Sequence, residues 1–450
     1  MDLKSVGLRG VSSQRAGRAL IFASLTAASM TLLTLTSTVS VPISRADNPD
    51  DPLNALLMGA TAMPVPNPVW MQGMINDYID PGTGQNYTPV AVDYPATLPI
   101  DYSTQTGLTD LQALMAEQPT GEPFLIEGFS MSALIAVEEK EDLAAMAVAG
   151  QQTPDVTVAL FGSGNRPDGG IFERFDGLYI PLMGVDANGA EPTDLGIPTI
   201  DFAGQYDGGA DFPQFPINLV SDVNAILGFL YVHGMYGEPS DVVQAIGGTQ
   251  TELTGPFTDQ YVLGSMETVM QQSGDTTFYL EPTADLPLLD PLRALGVPEQ
   301  LLNIVQPALR VIVEAGYDRS LPLADPVPAE LIPTIDPVTF LLELSNGVVQ
   351  GANNAVELFG AQLPGFTDLE SFFTSAESWS EMNIGVPYDQ VVTELNTAFD
   401  PFTLFIDVER PVGEAIQDLL TATGIQQLAD PILEEIGPAI ASLQGSALGG

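Results

Sequence analysis

Short apolar runs alternate along this chain with longer stretches of helical composition. Residues 54–58 (NALLM) predict a buried strand that runs into a Gly-, Thr- and Pro-rich loop at 59–64, and 68–78 read as helical. Residues 123–127 (PFLIE) predict a second strand. Residues 131–149 hold neither Gly nor Pro, and predict a helix. The β-branched run 156–161 (VTVALF) predicts a third strand, opening into a loop at 162–170, and 198–206 (PTIDFAGQY) predicts a fourth. Strands separated by helices imply an α/β fold with a mainly parallel sheet covered on both faces. Residues 171–196 lack periodicity and form a candidate lid or insertion. From about 283 onward the pattern becomes helical and Pro-punctuated, with amphipathic segments at 300–315 and 338–359. The stretch 366–450 is helix-rich and interrupted at Pro401, Pro411, Pro431 and Pro438.

The amino-terminal pattern differs. Lys4, Arg9, Arg15 and Arg18 precede an uncharged stretch from Ala19 to Ser44, and Ser44-Arg45-Ala46 offers small residues where a signal peptidase reads. Residues 1–46 are therefore expected to be a signal peptide, giving a secreted or cell-envelope protein. The other reading is an uncleaved membrane anchor, since the stretch is long enough to span a bilayer. Removal of 1–46 takes the formal charge from −46 to about −50. Such a chain repels phosphate backbones, which excludes nucleic-acid partners and disfavours electrostatic docking on anionic lipid. The acidic residues are expected to form a solvated face. With no cysteine and one histidine, disulfides, thiolate metal centres, iron–sulfur clusters, cysteine nucleophiles and His-rich metal sites are all excluded, and no cofactor is expected.

The sharpest chemical signal is Gly128-Phe129-Ser130-Met131-Ser132, set between a strand and a helix. A nucleophilic serine on a tight strand-to-helix turn needs small residues two before and two after it. Gly128 meets the first requirement and Ser132 stands where a second Gly is usual. Ser is also a preferred helix cap, and the local sequence fits both readings. A serine hydroxyl needs a base, and His233 is the one imidazole available. An acid falls between them in Tyr206-Asp207-Gly208-Gly209-Ala210-Asp211, directly after the strand 198–206. Asp211 is preferred as the third member because acid-bearing loops reach a few residues past the strand; Asp207 is the alternative. For the oxyanion, the N–H of Met131 and the loop Gly59-Ala60-Thr61 are the candidate donors.

These residues resemble the PE-PPE domain serine hydrolases, which are related to cutinases. The resemblance rests on GFSMSA (128–133), GNRPDGG (164–170), YDGGADFPQFPIN (206–218), LYVHGMYG (230–237), AGYDRSLP (315–322) and GANNAVELFG (351–360), with MGATAMPVPNP (58–68) similar to the family's first loop. It implies an α/β-hydrolase fold, a domain at 47–365 followed by a helical extension at 366–450, and esterase activity on acyl esters. The chain departs from the family in starting with a signal-like segment in place of a helical PE or PPE domain. The expected substrate is an acyl ester or a glycolipid of the cell envelope. Three functions follow: an esterase, an acyltransferase acting on trehalose glycolipids, or a non-catalytic surface or partner-binding protein.

Overall fold

The structure, a computed structural model, describes residues 52–181, 183–237, 250–252, 268–359, 388–398 and 400–423. The expected signal segment and its cleavage site lie outside the described residues, as do much of 366–450 and part of the 238–267 stretch.

Eight strands form one sheet: β1 (Leu53–Met58), β2 (Tyr87–Ala91), β3 (Phe124–Phe129), β4 (Val156–Phe161), β7 (Thr199–Gly204), β8 (Gln250–Glu252), β9 (Thr268–Ser273) and β10 (Thr276–Glu281). Two further short strands, β5 (Tyr179–Ile180) and β6 (Val185–Asp186), pair with each other. The order across the main sheet is β2-β1-β3-β4-β7-β10-β9-β8. The first six of these run parallel, and the β9–β10 hairpin reverses direction towards the edge. This is the mainly parallel, helix-flanked sheet of an α/β-hydrolase-like fold.

The strands read as continuous apolar runs because both faces are buried. Ala55, Leu57, Leu125, Phe129, Phe161 and Phe202 pack on one side against Trp70, Met74 and Tyr78, which follow in helix α1 (Pro68–Met74) and the turn after it. Leu56, Met58, Ile126, Val158 and Leu160 face the other side, covered by α2 (Ile100–Ala116) and α3 (Met131–Val148). Helix α4 (Leu219–Tyr231), capped by the Asn218 side chain on the Ser221 N–H, leads into the turn that carries His233. Behind it lies α5 (Glu299–Glu314), against which α6 (Pro337–Phe359) packs so closely that a side chain on Gly351 would strike the Ile304 carbonyl.

Several expectations need correction. The strand β2, the helices α2 and α4, and the β9–β10 hairpin are absent from the sequence reading. Pro411 does not break the tail: it lies inside α8 (Pro401–Thr423), which follows α7 (Tyr388–Ala398). Packing holds the helix through the proline, since Arg410 binds Asp186 and the Gly177 carbonyl, and Phe402 meets Phe175 edge-on. Nor are the acidic residues all solvated. Glu127, Glu139, Glu191, Asp201 and Glu281 are buried, and Lys140 is enclosed with them, donating to the Pro192 carbonyl.

Burial pushes Glu139, Glu191 and Glu281 each up to about 7. A carboxyl whose folded value is raised adds stability below its unfolded value and loses it as pH rises through the folded one. The melting temperature is therefore expected to rise when pH is lowered from about 8 to 5, where the acidic surface also repels itself less. Scanning fluorimetry checks this; a flat or falling trend contradicts the burial of these groups as protonated acids.

Candidate active site

The chain leaves β1 to form β2 on one side, then returns to place β3 on the other. The loops after β1 and β3 therefore part at a topological switch point, where crevices form at the carboxyl ends of parallel strands. Met58 and Gly128 stand side by side in the register, so both loops start from the same level.

Ser130 occupies the turn from β3 into α3 with φ 58° and ψ −115°, a conformation that costs a non-glycine residue. Its side chain does not cap the helix. The turn is tight because Gly128 lets it close: a Cβ there would sit 2.5 Å from the Ser132 carbonyl oxygen and 2.8 Å from the Ala133 Cα. Ser132 is tolerated in place of glycine because its hydroxyl is used. It accepts from the Phe129 N–H at 2.8 Å and lies 3.1 Å from the Met58 carbonyl, tying the turn to the end of β1.

His233 Nε2 lies 2.7 Å from Ser130 Oγ, and Nδ1 lies 2.7 Å from Asp207 Oδ1. Asp207 Oδ1 also accepts from the Gly209 N–H at 2.7 Å, and Oδ2 accepts from the Tyr236 hydroxyl at 2.6 Å. Burial alone would raise the Asp207 carboxyl, but the His233 charge and hydrogen bond, with the Tyr236 and Gly209 donors, hold it below the usual carboxylate range. An ionised Asp207 can only accept, so it directs the His233 proton to Nδ1 and leaves Nε2 free to accept from Ser130. Burial pushes the Tyr236 phenol well up, as does the adjacent Asp207, so it stays a donor to Asp207 while accepting from the Gly204 N–H at 2.8 Å.

Asp211, the acid preferred from the sequence, is placed elsewhere in the loop. Its carboxylate does not reach the imidazole; it is bonded by the Arg319 guanidinium, at 2.6 and 2.9 Å, and by the Tyr206 N–H. The loop turns back on itself, with the Asp211 N–H on the Asp207 carbonyl at 2.7 Å. Thr61 lies in an exposed turn beyond β1, and Met131 opens α3, where N–H groups have no acceptor within the helix.

Sequence reasoning passed over three contributors. Tyr236 stands one helical turn from His233, and a tyrosine so placed beside a buried acid was the available signal. Gly162 and Gly209 line the imidazole: a Cβ on either would sit within about 3 Å of His233 Cε1. Gly162→Ala, at φ 56°, should displace the ring with the fold retained, as measured by the resonance of the chain's one histidine and by circular dichroism. An unchanged resonance would show that the imidazole is not held by this wall. Phe129 and Phe229 bracket the ring at centroid separations of 5.3 and 5.0 Å.

The model of the PE-PPE domain matches residues 82–318. Three proteins of Mycobacterium tuberculosis are similar. PE family protein PE3 is 36% identical over 327 residues, covering 69% of this chain and 64% of that protein. Esterase PE16 is 37% identical over 295 residues, covering 63% and 52% respectively. Diacyltrehalose acyltransferase Chp2 is more distant, 29% identical over 177 residues, covering 39% and 44%. The chain thus spans between about half and two thirds of the length of the first two relatives. The strand–turn–helix serine, the imidazole it faces and the matched residues around them lead to one family: this chain belongs to the PE-PPE domain proteins.

Proposed function

We propose that this chain is an exported serine esterase acting on acyl esters, with Ser130 as nucleophile, His233 as general base and Asp207 as the acid that orients it. The observation that carries the reading is the continuous hydrogen-bonded line from Asp207 through His233 to a serine held in a strained turn. Ser130 Oγ attacks the ester carbonyl while His233 Nε2 takes its proton. The oxyanion is bound by the Met131 N–H and by an N–H of the Thr61 loop, each such donor contributing about 3 kcal/mol to the transition state. The alcohol leaves with the proton from His233, giving an acyl ester on Ser130. His233 then deprotonates the incoming acceptor, which attacks the acyl carbon and returns Ser130 free. The signal-like composition of 1–46 and the name of the esterase relative support this reading.

The acceptor distinguishes a second reading. Water gives hydrolysis; a sugar hydroxyl gives acyl transfer, the reaction named for the diacyltrehalose relative. The insertion at 171–196 follows β4 at the same end of the sheet as Ser130, where it can restrict water. Two measurements test the proposal. A fluorophosphonate probe should label the wild type at Ser130 and leave Ser130→Ala unlabelled. A chain-length series of acyl esters, with and without trehalose, should then partition product between free acid and acylated sugar. Absence of labelling would favour a non-catalytic binding protein.

A further inference from the structure

The loop that presents Asp207 is held from a distant part of the chain. Tyr206, immediately before Asp207, has φ 68°, which a residue with a Cβ adopts only when its surroundings impose it. Both ends of Tyr206 are tied. Its N–H donates to Asp211 Oδ2 at 2.7 Å, and its hydroxyl donates to Glu314 Oε1 at 2.6 Å while accepting from Arg310 at 3.1 Å. One side chain closes this circuit. The Arg319 guanidinium grips both Asp211 oxygens, donates from Nε to Glu314 Oε2 at 3.1 Å, and stacks 4.0 Å from the Tyr317 ring centroid. The Tyr317 hydroxyl adds a bond to the Asp211 carbonyl at 3.2 Å. Asp211, Glu314 and most of Arg319 are enclosed, so the fork of Arg319 is matched to Asp211 with little competition from water.

We infer that Arg319 is a positioning residue for the acid of the triad: by clamping Asp211 to the end of α5, it holds the strained Tyr206–Asp207 turn so that the Asp207 carboxylate meets His233. The inference rests on the triad reading above. Arg319 touches neither the imidazole nor Ser130, so it acts through the loop alone. The clamp gives Asp211 a task other than that of the orienting carboxylate.

Arg319→Lys keeps the charge and loses the two-pronged fit. It should lower kcat between about 10- and 100-fold while KM stays within about twofold, because the loop faces the base and not the substrate. The acidic limb of the kcat profile should also move to lower pH, since a displaced carboxylate stabilises the imidazolium less. Tyr317→Phe removes only the bond to the Asp211 carbonyl and should show a smaller change of the same sign. A lowered melting temperature with kcat and the acidic limb unchanged would mean that Arg319 serves the fold alone, overturning the inference. If Arg319→Lys does not fold, an unchanged profile in Tyr317→Phe overturns it equally. Ser130→Ala separates the two levels: if it remains active, the triad reading fails, whereas an inactive Ser130→Ala beside unaffected clamp variants refutes only the role of Arg319.

Discussion

Ser130→Ala is expected to lower kcat on p-nitrophenyl acyl esters by about a million-fold, which is about 8 kcal/mol of transition-state stabilisation. The loss is large because in the proposed triad the three side chains act as a unit: without the hydroxyl, neither the imidazole nor the carboxylate behind it has a proton to move. A residual rate above that of water should persist, supplied by substrate binding and the oxyanion donors. The fold should survive, since the Ser130 side chain does not cap α3 and its hydroxyl bond is to His233. Ser130→Gly should be comparably inactive yet more stable by about 1 kcal/mol, because glycine adopts the φ of 58° without penalty. Turnover and thermal melts on the two variants check both halves of the result. Retained turnover in either would remove Ser130 from the chemistry.

Asp207→Asn should lower kcat about 10,000-fold, or about 5 kcal/mol. The amide can still fill the space between the Gly209 N–H and the Tyr236 hydroxyl, so the loop should keep its shape. In the proposed reaction, what disappears is the negative charge that stabilises the imidazolium formed as Ser130 attacks. Asp211→Asn tests the other acid. It should cost far less, since its carboxylate lies on Arg319 and reaches His233 only through the backbone. Steady-state kinetics on the pair decide the assignment, and equal losses would contradict it.

The central architecture was legible because it is written in local patterns. The runs at 54–58 and 156–161 are buried on both faces and contain little but apolar residues, and the helix after Ser130 has no Pro to stop it. The pairing of Ser130 with His233 needed only that the chain has one imidazole. The elements that escaped carry mixed signals. Strand β2 contains Pro89, which a central strand would not accept but which suits its place at the sheet edge. The β9–β10 hairpin turns at Gly274-Asp275, an ordinary turn signature that was there to be used. The choice between Asp207 and Asp211 was different in kind. Both follow the same strand in the same turn, and what separates them is Arg319, 108 residues from Asp211 in sequence. No local pattern encodes such a partner.

The solitary imidazole has a practical consequence. Most enzymes bury the signal of their reacting histidine among those of others, and assigning it takes labelled or substituted samples. Here the proton on Nδ1, held 2.7 Å from Asp207, belongs to the chain's one histidine, so any far-downfield imidazole resonance reports on the site directly. In ordinary unlabelled protein, magnetic resonance can therefore follow how tightly that proton is shared.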